Sequence, residues 1–352
     1  MSQFKPNCLP LLIGSLPSKN HRESVELIFD YTPQIPLWPQ LPVFEQEGMI
    51  RQYVPGFPGI TEVDGKMFVD TEKAGFEEEL LAFYEEYLMV SDGGAEIDGT
   101  RFILSREVAK GFYDFLEIAA AKKDGVVALK GQTTGPVTFC TGLVDQVGRA
   151  IFYDDQLRDV AIKHLAMKAR WQVRKMAEIL EQTIMFFDEP ALAGLGSSAF
   201  ITITDDDIKH CFAEVFDAVR SEGGLSGVHV CANTEWSVIF ESGVDIISYD
   251  AYSYFDKLIL YGDHLKTFFQ NGGILATGII PTTPELSDAE TAESLADKWQ
   301  KQTDQLVALG ISEKTVREQT LITPSCGTGT VTTSQALRVI ELTKAVSEKI
   351  RG

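Results

Sequence analysis

The sequence has no uninterrupted apolar run near the roughly 20 residues that a membrane-spanning helix requires. Its first residues, MSQFKPNCLPLLIG, also lack the basic region and long apolar core of a secretion signal. Basic residues are scarce, because 31 lysines and arginines stand against 51 acidic residues, which gives a formal charge of −20. Such a surface is poorly suited to nucleic acid or anionic lipid. We therefore expect a cytoplasmic protein that binds neither nucleic acid nor membranes.

Cysteine is also sparse, since five are scattered over 352 residues. An odd, dispersed set does not make a disulfide framework and fits a reducing compartment. The chain further lacks low-complexity tracts, internal repeats of fixed period and a linker that would separate two domains. What it does have is 44% apolar residues, enough to bury one large core. We expect a single domain over residues 1–352, with thiols that are free or metal-bound.

Short apolar runs alternate with long amphipathic stretches, most regularly after residue 125. A parallel α/β sheet produces this alternation. Eight runs are predicted to be strands: Leu11–Gly14, Ile35–Trp38, Val126–Lys130, Thr183–Phe187, Leu225–Val230, Asp245–Tyr249, Gly273–Thr277 and Leu321–Thr323. Eight strands with intervening helices predict a single (β/α)8 TIM barrel, and an open doubly wound sheet is the alternative.

Residues 42–124 exceed what one strand-helix unit needs. The segment EVDGKMFVD within them predicts a hairpin, because Asp-Gly is a favoured two-residue turn. We expect an insertion or lid at about 42–124.

Three of the predicted strands end in residues that bind soft metal ions. The run LSGVHVC ends in His229 and Cys231, which lie two positions apart and so point to one side of an extended chain. The run LITPSCG ends at Cys326, and DIISYD ends at Asp250. In a closed barrel these strand ends share one mouth. Two thiolates and an imidazole, with an oxygen ligand, favour zinc over magnesium or calcium, although each residue alone could be packed structure.

Five segments occur in the order found in cobalamin-independent methionine synthase: IGSLP (13–17), TGPVT (134–138), FDEPAL (187–192), HVC (229–231) and SCG (325–327). On these segments the chain resembles a short, single-barrel core form of that family's catalytic C-terminal barrel. The likeness spans nearly the whole chain. It implies the barrel fold shared by uroporphyrinogen decarboxylase and methionine synthase.

The resemblance implies that zinc is bound by His229, Cys231, Asp250 and Cys326. The family usually has glutamate where Asp250 stands, so Glu235 is the alternative fourth ligand. The catalytic residues would be His229, Cys231 and Cys326, through a metal that ionises an acceptor thiol.

The resemblance also implies a site for the amino-acid part of homocysteine. The residues carried over are Ile13, Gly14, Ser15 and Asp188, with the aspartate facing the ammonium group. A helix cap before Pro190 is the structural alternative for Asp188.

Three departures from the family concern the methyl donor. The tryptophan and glutamate that contact the pterin are replaced by Gly142 and Gly194, and the proton-relay histidine by Thr282. Methyltetrahydrofolate needs an acid at its leaving nitrogen, whereas a methylated corrinoid does not. We expect methylcobalamin, presented by a corrinoid protein, as donor.

The expected activity is therefore zinc-dependent methyl transfer to a small thiol, with homocysteine as acceptor and methionine as product. A basic residue facing Asp188 would favour a sulfonate thiol such as coenzyme M instead. A metal-free decarboxylase of the uroporphyrinogen type is the rival from another class. A purely structural zinc site would have closely spaced ligands rather than ligands about 100 residues apart.

Overall fold

The computed structural model describes residues 4–195 and 202–352. These ranges contain eight β-strands: β1 (Ile60–Val63), β2 (Lys66–Val69), β3 (Leu129–Thr134), β4 (Thr183–Asp188), β5 (Leu225–Val230), β6 (Ile246–Tyr249), β7 (Ile274–Ile280) and β8 (Thr320–Pro324). They also contain thirteen α-helices: α1 (His21–Tyr31), α2 (Phe76–Ser91), α3 (Lys110–Ala121), α4 (Pro136–Gly142), α5 (Asp155–Ala177), α6 (Asp205–Ser221), α7 (Trp236–Glu241), α8 (Ala251–Leu258), α9 (Gly262–Gln270), α10 (Pro284–Ala289), α11 (Ala292–Ala308), α12 (Glu313–Glu318) and α13 (Thr333–Arg351). Within both ranges, no helix combines the length and apolar character that crossing a bilayer demands.

Six of the strands form one parallel sheet in the order β3-β4-β5-β6-β7-β8. Sequential parallel strands need crossover connections, and the helices between them supply these. Three of the helices, α6, α11 and α13, start at a capping box in which Thr204, Thr291 and Thr332 each accept a hydrogen bond from the backbone three residues on. The predicted alternation of strands and helices is therefore present, and the sheet is curled as in TIM-like folds.

The two predicted N-terminal strands are not regular strands. In and next to these two runs the chain makes only isolated parallel bridges, in which Pro10 pairs with Ile322 and Leu37 with Lys130. Ser15 bridges to Gln40 in the same way. Proline has no N–H to donate to a ladder, and the sequence LPLLIGSLP and PQIPLWPQ carries one at every few positions. The prediction of eight regular strands is thus wrong for the described residues, although backbone contacts run from β8 through both segments to β3.

One side of the curled sheet, here called the inner face, is filled by apolar side chains. Alternate strand residues meet residues of the two N-terminal segments there: Leu11, Ile35, Leu37, Ala128, Ile184, Phe186, Leu225, Ile246, Ile274, Ala276 and Leu321. The strand residues between them belong to the core shared with the helices. Because side chains alternate with a period of two, Asp188, His229 and Ser248 continue the inner face at the carboxyl end of the sheet.

The predicted hairpin in the insertion is confirmed. Strands β1 and β2 are antiparallel, with Ile60 paired to Val69. Asp64 and Gly65 at the turn have φ of 51° and 73°, the left-handed values that a tight two-residue hairpin turn requires. The insertion also reaches the carboxyl end of the sheet, where the hydroxyl of Thr134 donates to the carbonyl of Met49.

Candidate metal and substrate site

His229, Cys231 and Cys326 lie together at the carboxyl end of the sheet. Each offers one ligand atom, and these atoms lie within 4.8 Å of one another. His229 is in β5, Cys231 follows directly after that strand, and Cys326 comes two residues after β8. The chain therefore brings one imidazole and two thiols, distant in sequence, to one point of the inner face.

The His229 ring is held in one orientation. Its Nδ1 is 2.9 Å from the hydroxyl oxygen of Ser248 on β6, whereas its Nε2 is buried and has no hydrogen-bond partner among the described residues. Burial, with a smaller contribution from the charge of Lys130, lowers the pKa of His229 to about 3. A neutral ring that donates from Nδ1 leaves the Nε2 lone pair free, which is how histidine binds metals.

The two thiols are close neighbours within this group. Their interaction lowers the pKa of Cys231 to about 7 against the opposing effect of burial. The same interaction, together with burial, raises the pKa of Cys326. Soft thiolates, an imidazole and an unpartnered buried Nε2 are a donor set that fits zinc.

The two candidate carboxylate ligands lie outside this group of three. Asp250 follows β6 and caps α8, where its Oδ1 accepts a hydrogen bond from the Ser253 N–H at 2.9 Å. Glu235 accepts hydrogen bonds through Oε1 from the hydroxyls of Ser237 and Tyr261, at 2.7 and 2.8 Å. Among the described residues, three side chains of this group could therefore bind a metal ion, and neither carboxylate is one of them.

The predicted substrate segment holds the loop that carries Cys326. The carbonyl of Ser15 accepts hydrogen bonds from the Thr328 N–H at 3.0 Å and from its hydroxyl at 3.1 Å. The Ser15 hydroxyl accepts from the Gly329 N–H at 3.2 Å. A Cβ on Gly327 would lie 2.2 Å from that hydroxyl oxygen and would force the Ser15 side chain to move. Ile13, Gly14, Ser15 and Cys326 line one small cavity.

Asp188 ends β4, beside His229 in the register of the sheet. Its Oδ1 is buried and has no hydrogen-bond partner in the described part of the chain. Burial raises the pKa of Asp188 to about 6, against the opposing charge of Lys130. The cap position of the following short helical turn belongs to Glu189. The helix-cap alternative therefore does not apply to Asp188.

Lys130 has no role among the sequence-based predictions. It is fully buried, and its ammonium donates to the carbonyl of Ile13 and to the Gln132 side-chain oxygen at 3.1 Å. The ammonium also lies 4.6 Å from the centre of the Phe186 ring. Burial lowers the pKa of Lys130 to about 7, and the charge of Asp188 opposes this. The sequence feature that could have indicated a role for this residue is a charged lysine directly after the apolar residues Ala128 and Leu129.

Glu189 is a second residue without a predicted role. Its buried carboxylate accepts hydrogen bonds from the N–H of Val137 at 2.9 Å, and from the N–H and hydroxyl of Thr138 at 2.7 and 2.6 Å. Burial raises the pKa of Glu189 to about 7. The carboxylate fills the space beside Gly135, where a Cβ would lie 2.2 Å from Glu189 Cδ. The TGPVT and DEPAL segments are thus one interlocked unit.

The three positions linked to the methyl donor lie in ordered parts of the structure. Gly142 ends α4, and a Cβ there would lie 3.0 Å from Ile50 Cδ1. Gly194 ends the short helical turn after β4. The Thr282 hydroxyl lies 3.3 Å from that of Ser325, next to Cys326. None of the three offers a titratable proton.

A large groove lies away from this group. It has a volume of about 610 Å³ and is lined by Arg220, Asp245 and His264 near the amino ends of β5 to β7. None of the predicted site residues lines it.

Comparisons with known proteins give a likeness of fold. No protein-family model matches the sequence, and no curated protein matches it. Among solved structures, the chain is similar to a methyltransferase from Methanosarcina mazei, with a TM-score of 0.52 and 13% sequence identity over 92% of this chain and 84% of that chain. At this identity the similarity concerns the fold, and the resemblance to cobalamin-independent methionine synthase stays a prediction.

Proposed function

We propose that the protein is a methyltransferase that moves a methyl group to a small thiol, with zinc held by His229, Cys231 and Cys326. The observation that carries this proposal is that the ligand atoms of these three residues lie within 4.8 Å of one another. The Nε2 of His229 is buried and has no hydrogen-bond partner among the described residues. The similarity in fold to a methyltransferase supports the same reaction class.

Three protein ligands leave one position of a tetrahedral site for the acceptor, as catalytic zinc sites do. Zinc bound there would lower the pKa of a coordinated thiol towards neutrality. Other residues of the chain position the zinc ligands. Ser248 orients the imidazole of His229, and Ser15 fixes the loop of Cys326. These two contacts hold His229 and the Cys326 loop in place before the acceptor binds.

The acceptor that this proposal favours is homocysteine. Asp188 is an inner-face carboxylate beside His229 and has an unpartnered Oδ1, which suits the ammonium group of an amino acid. Ile13, Gly14 and Ser15 line a small cavity beside Cys326, which Asp188 does not line. Methionine would be the product.

The donor that this proposal favours is a methylated corrinoid carried by a partner protein. The acceptor sulfur would attack the methyl carbon, and the cobalt-carbon bond would break with both electrons remaining on cobalt. This leaving group needs no proton, which agrees with Gly142, Gly194 and Thr282, since none of them has a titratable side chain.

Coenzyme M is the second candidate acceptor, and one observation favours it. Lys130 is a buried basic residue whose charge acts on Asp188, and its positive potential would attract a sulfonate. Homocysteine and coenzyme M differ in charge at the end remote from sulfur, so direct competition separates the two.

The test measures metal content and methyl transfer together. Wild type, Cys326→Ala and a matched control, Cys211→Ala, are analysed for zinc; Cys211 is a buried thiol of α6 outside the group of three. Each protein is then given methylcobalamin with homocysteine or coenzyme M. We expect zinc and turnover to be lost in Cys326→Ala alone. Equal zinc in all three proteins would reject the site, and turnover with methyltetrahydrofolate but not methylcobalamin would reject the donor.

A further inference from the structure

Two of the five cysteines are within reach of a small oxidant. Cys231 and Cys326 are partly exposed, whereas Cys8, Cys140 and Cys211 are buried. Oxidation of a cysteine depends on its exposure and on its thiolate character, and thiolate is also the form that binds metals. An oxidant at the carboxyl end of the sheet would therefore meet these two sulfurs and none of the other three.

The two accessible sulfurs are also close to each other. Their Sγ atoms lie within 4.8 Å. The sulfurs of a disulfide are about 2 Å apart, so closure requires an approach of less than about 3 Å. A movement of this size is on the scale of a change in side-chain rotamer. The pair therefore has the proximity that a disulfide needs.

The backbone around the two cysteines is free to adjust but is held in place. Cys231 comes directly after β5 and Cys326 two residues after β8, so neither is part of a strand. The Cys326 loop is tied to the carbonyl of Ser15 by the N–H and the hydroxyl of Thr328, at 3.0 and 3.1 Å. These hydrogen bonds keep Cys326 beside the end of β5 while both loops can move locally.

We propose that Cys231 and Cys326 form a reversible redox switch, in which a peroxide joins the two sulfurs in a disulfide and the metal is released. This inference rests on the proposed function. Once both sulfurs are in the disulfide, His229 is the only one of the three proposed ligands that remains. Catalytic zinc sites need three protein ligands, so zinc binding and methyl transfer would stop until a thiol reductant opened the bond.

The oxidation is a two-electron step that balances with hydrogen peroxide. One thiolate sulfur attacks a peroxide oxygen, the O–O bond breaks, and a sulfenic acid forms as hydroxide leaves. The second thiolate attacks the sulfenic sulfur, the S–O bond breaks, and the S–S bond forms as a second hydroxide leaves. Two thiolates and one hydrogen peroxide thus give one disulfide and two hydroxide ions. A thiol reductant returns the two electrons by thiol–disulfide exchange.

The experiment treats zinc-loaded protein with an equimolar amount of hydrogen peroxide. Released zinc is measured with a chromogenic chelator, and disulfides are mapped by mass spectrometry of non-reduced peptides. We expect a cross-link between Cys231 and Cys326 within one chain, together with loss of the bound zinc. Dithiothreitol followed by zinc should restore both thiols and the bound metal. Cys211→Ala removes a buried thiol and is the matched control, which should respond as wild type does.

Cys326→Ser tests the pairing from the other side. Without the second sulfur, we expect Cys231 to be oxidised to a sulfinic acid, which dithiothreitol does not reduce. The peptide map of wild type needs no variant and decides the matter if Cys326→Ser does not fold. A sulfinic acid in place of the cross-link in wild type, a cross-link between two chains, or zinc retained by cross-linked protein would each overturn the switch.

The outcomes separate this inference from the proposed function. Protein that holds no zinc before peroxide is added would refute the proposed function, and its peptide map would still decide whether the two thiols pair. Protein that holds zinc and transfers methyl groups, but forms no cross-link with peroxide, would overturn the redox switch alone.

Discussion

Asp188 and His229 are register partners on the neighbouring parallel strands β4 and β5. Each has one buried polar atom without a partner among the described residues, Oδ1 of the aspartate and Nε2 of the histidine. Neighbouring strands lie about 4.8 Å apart, so a small molecule can be held by one residue while its other end reaches a metal on the other. The hydrogen-bonded ladder fixes this spacing more firmly than a loop would.

Ser248→Ala is expected to weaken zinc binding without removing a ligand. The mutation deletes the hydroxyl that orients His229 through Nδ1. Loss of such a supporting contact costs about 10- to 100-fold in metal affinity. Chelator competition measures the change. Ser226→Ala is the control, because that hydroxyl donates to Asp245 at the other end of β5 and should not matter. Equal affinities in both variants would contradict the orienting role.

Gly327→Ala is expected to disturb the Cys326 loop. The new Cβ would lie 2.2 Å from the Ser15 hydroxyl oxygen and would displace it from the Gly329 N–H. We expect the unfolding free energy to fall by about 1–3 kcal/mol, with a parallel loss of zinc affinity. Gly262→Ala is milder, since its Cβ meets only the end of the Leu309 side chain at 3.1 Å. Denaturant titration compares them, and wild-type stability of Gly327→Ala would refute the close contact.

Asp250→Asn is expected to retain one zinc per chain. Asp250 lies outside the group of three ligands and caps α8, a role that asparagine fills equally well. Metal analysis and the thermal unfolding midpoint should both match wild type. Loss of zinc from this variant would show that the carboxylate is the fourth ligand, as the family resemblance implies.

Lys168→Met is expected to change how stability depends on pH. Burial lowers the pKa of Lys168 from 10.5 to about 7. Between these values the unfolded chain keeps a proton that the folded chain has lost, so the contribution of Lys168 to stability rises with pH. The slope is at most about 1.4 kcal/mol per pH unit. The unfolding free energy of wild type minus that of Lys168→Met should therefore be larger at pH 10 than at pH 7. A constant difference would mean that Lys168 stays protonated in the folded protein.

The sequence predicts best the strands that are buried along their whole length. The predicted bounds of β5, Leu225–Val230, are those observed. The prediction fails before residue 42, where prolines such as Pro10 and Pro36 replace ladder donors, so that an apolar run forms bridges instead of a strand.

The positions of strand ends also explain which site residues could be predicted from the sequence and which could not. His229, Cys231 and Cys326 could be grouped because strand ends of a curled parallel sheet meet. Lys130 was missed because the predicted strand ended there, whereas β3 runs from Leu129 to Thr134 and places the lysine within the sheet. The partner of Asp250 could not be foreseen, because a strand-end aspartate suits a ligand and a helix cap equally.

The contact between Ser15 and the Thr328 hydroxyl joins positions 313 residues apart. Contacts of such long sequence separation form slowly, because a large loop must close first. Cys326 lies two residues before this long-range contact, whereas His229 and Cys231 lie together at the end of one strand. During refolding, the pair in the middle of the chain is therefore ready early, and tight metal capture has to wait until both ends of the polypeptide have met.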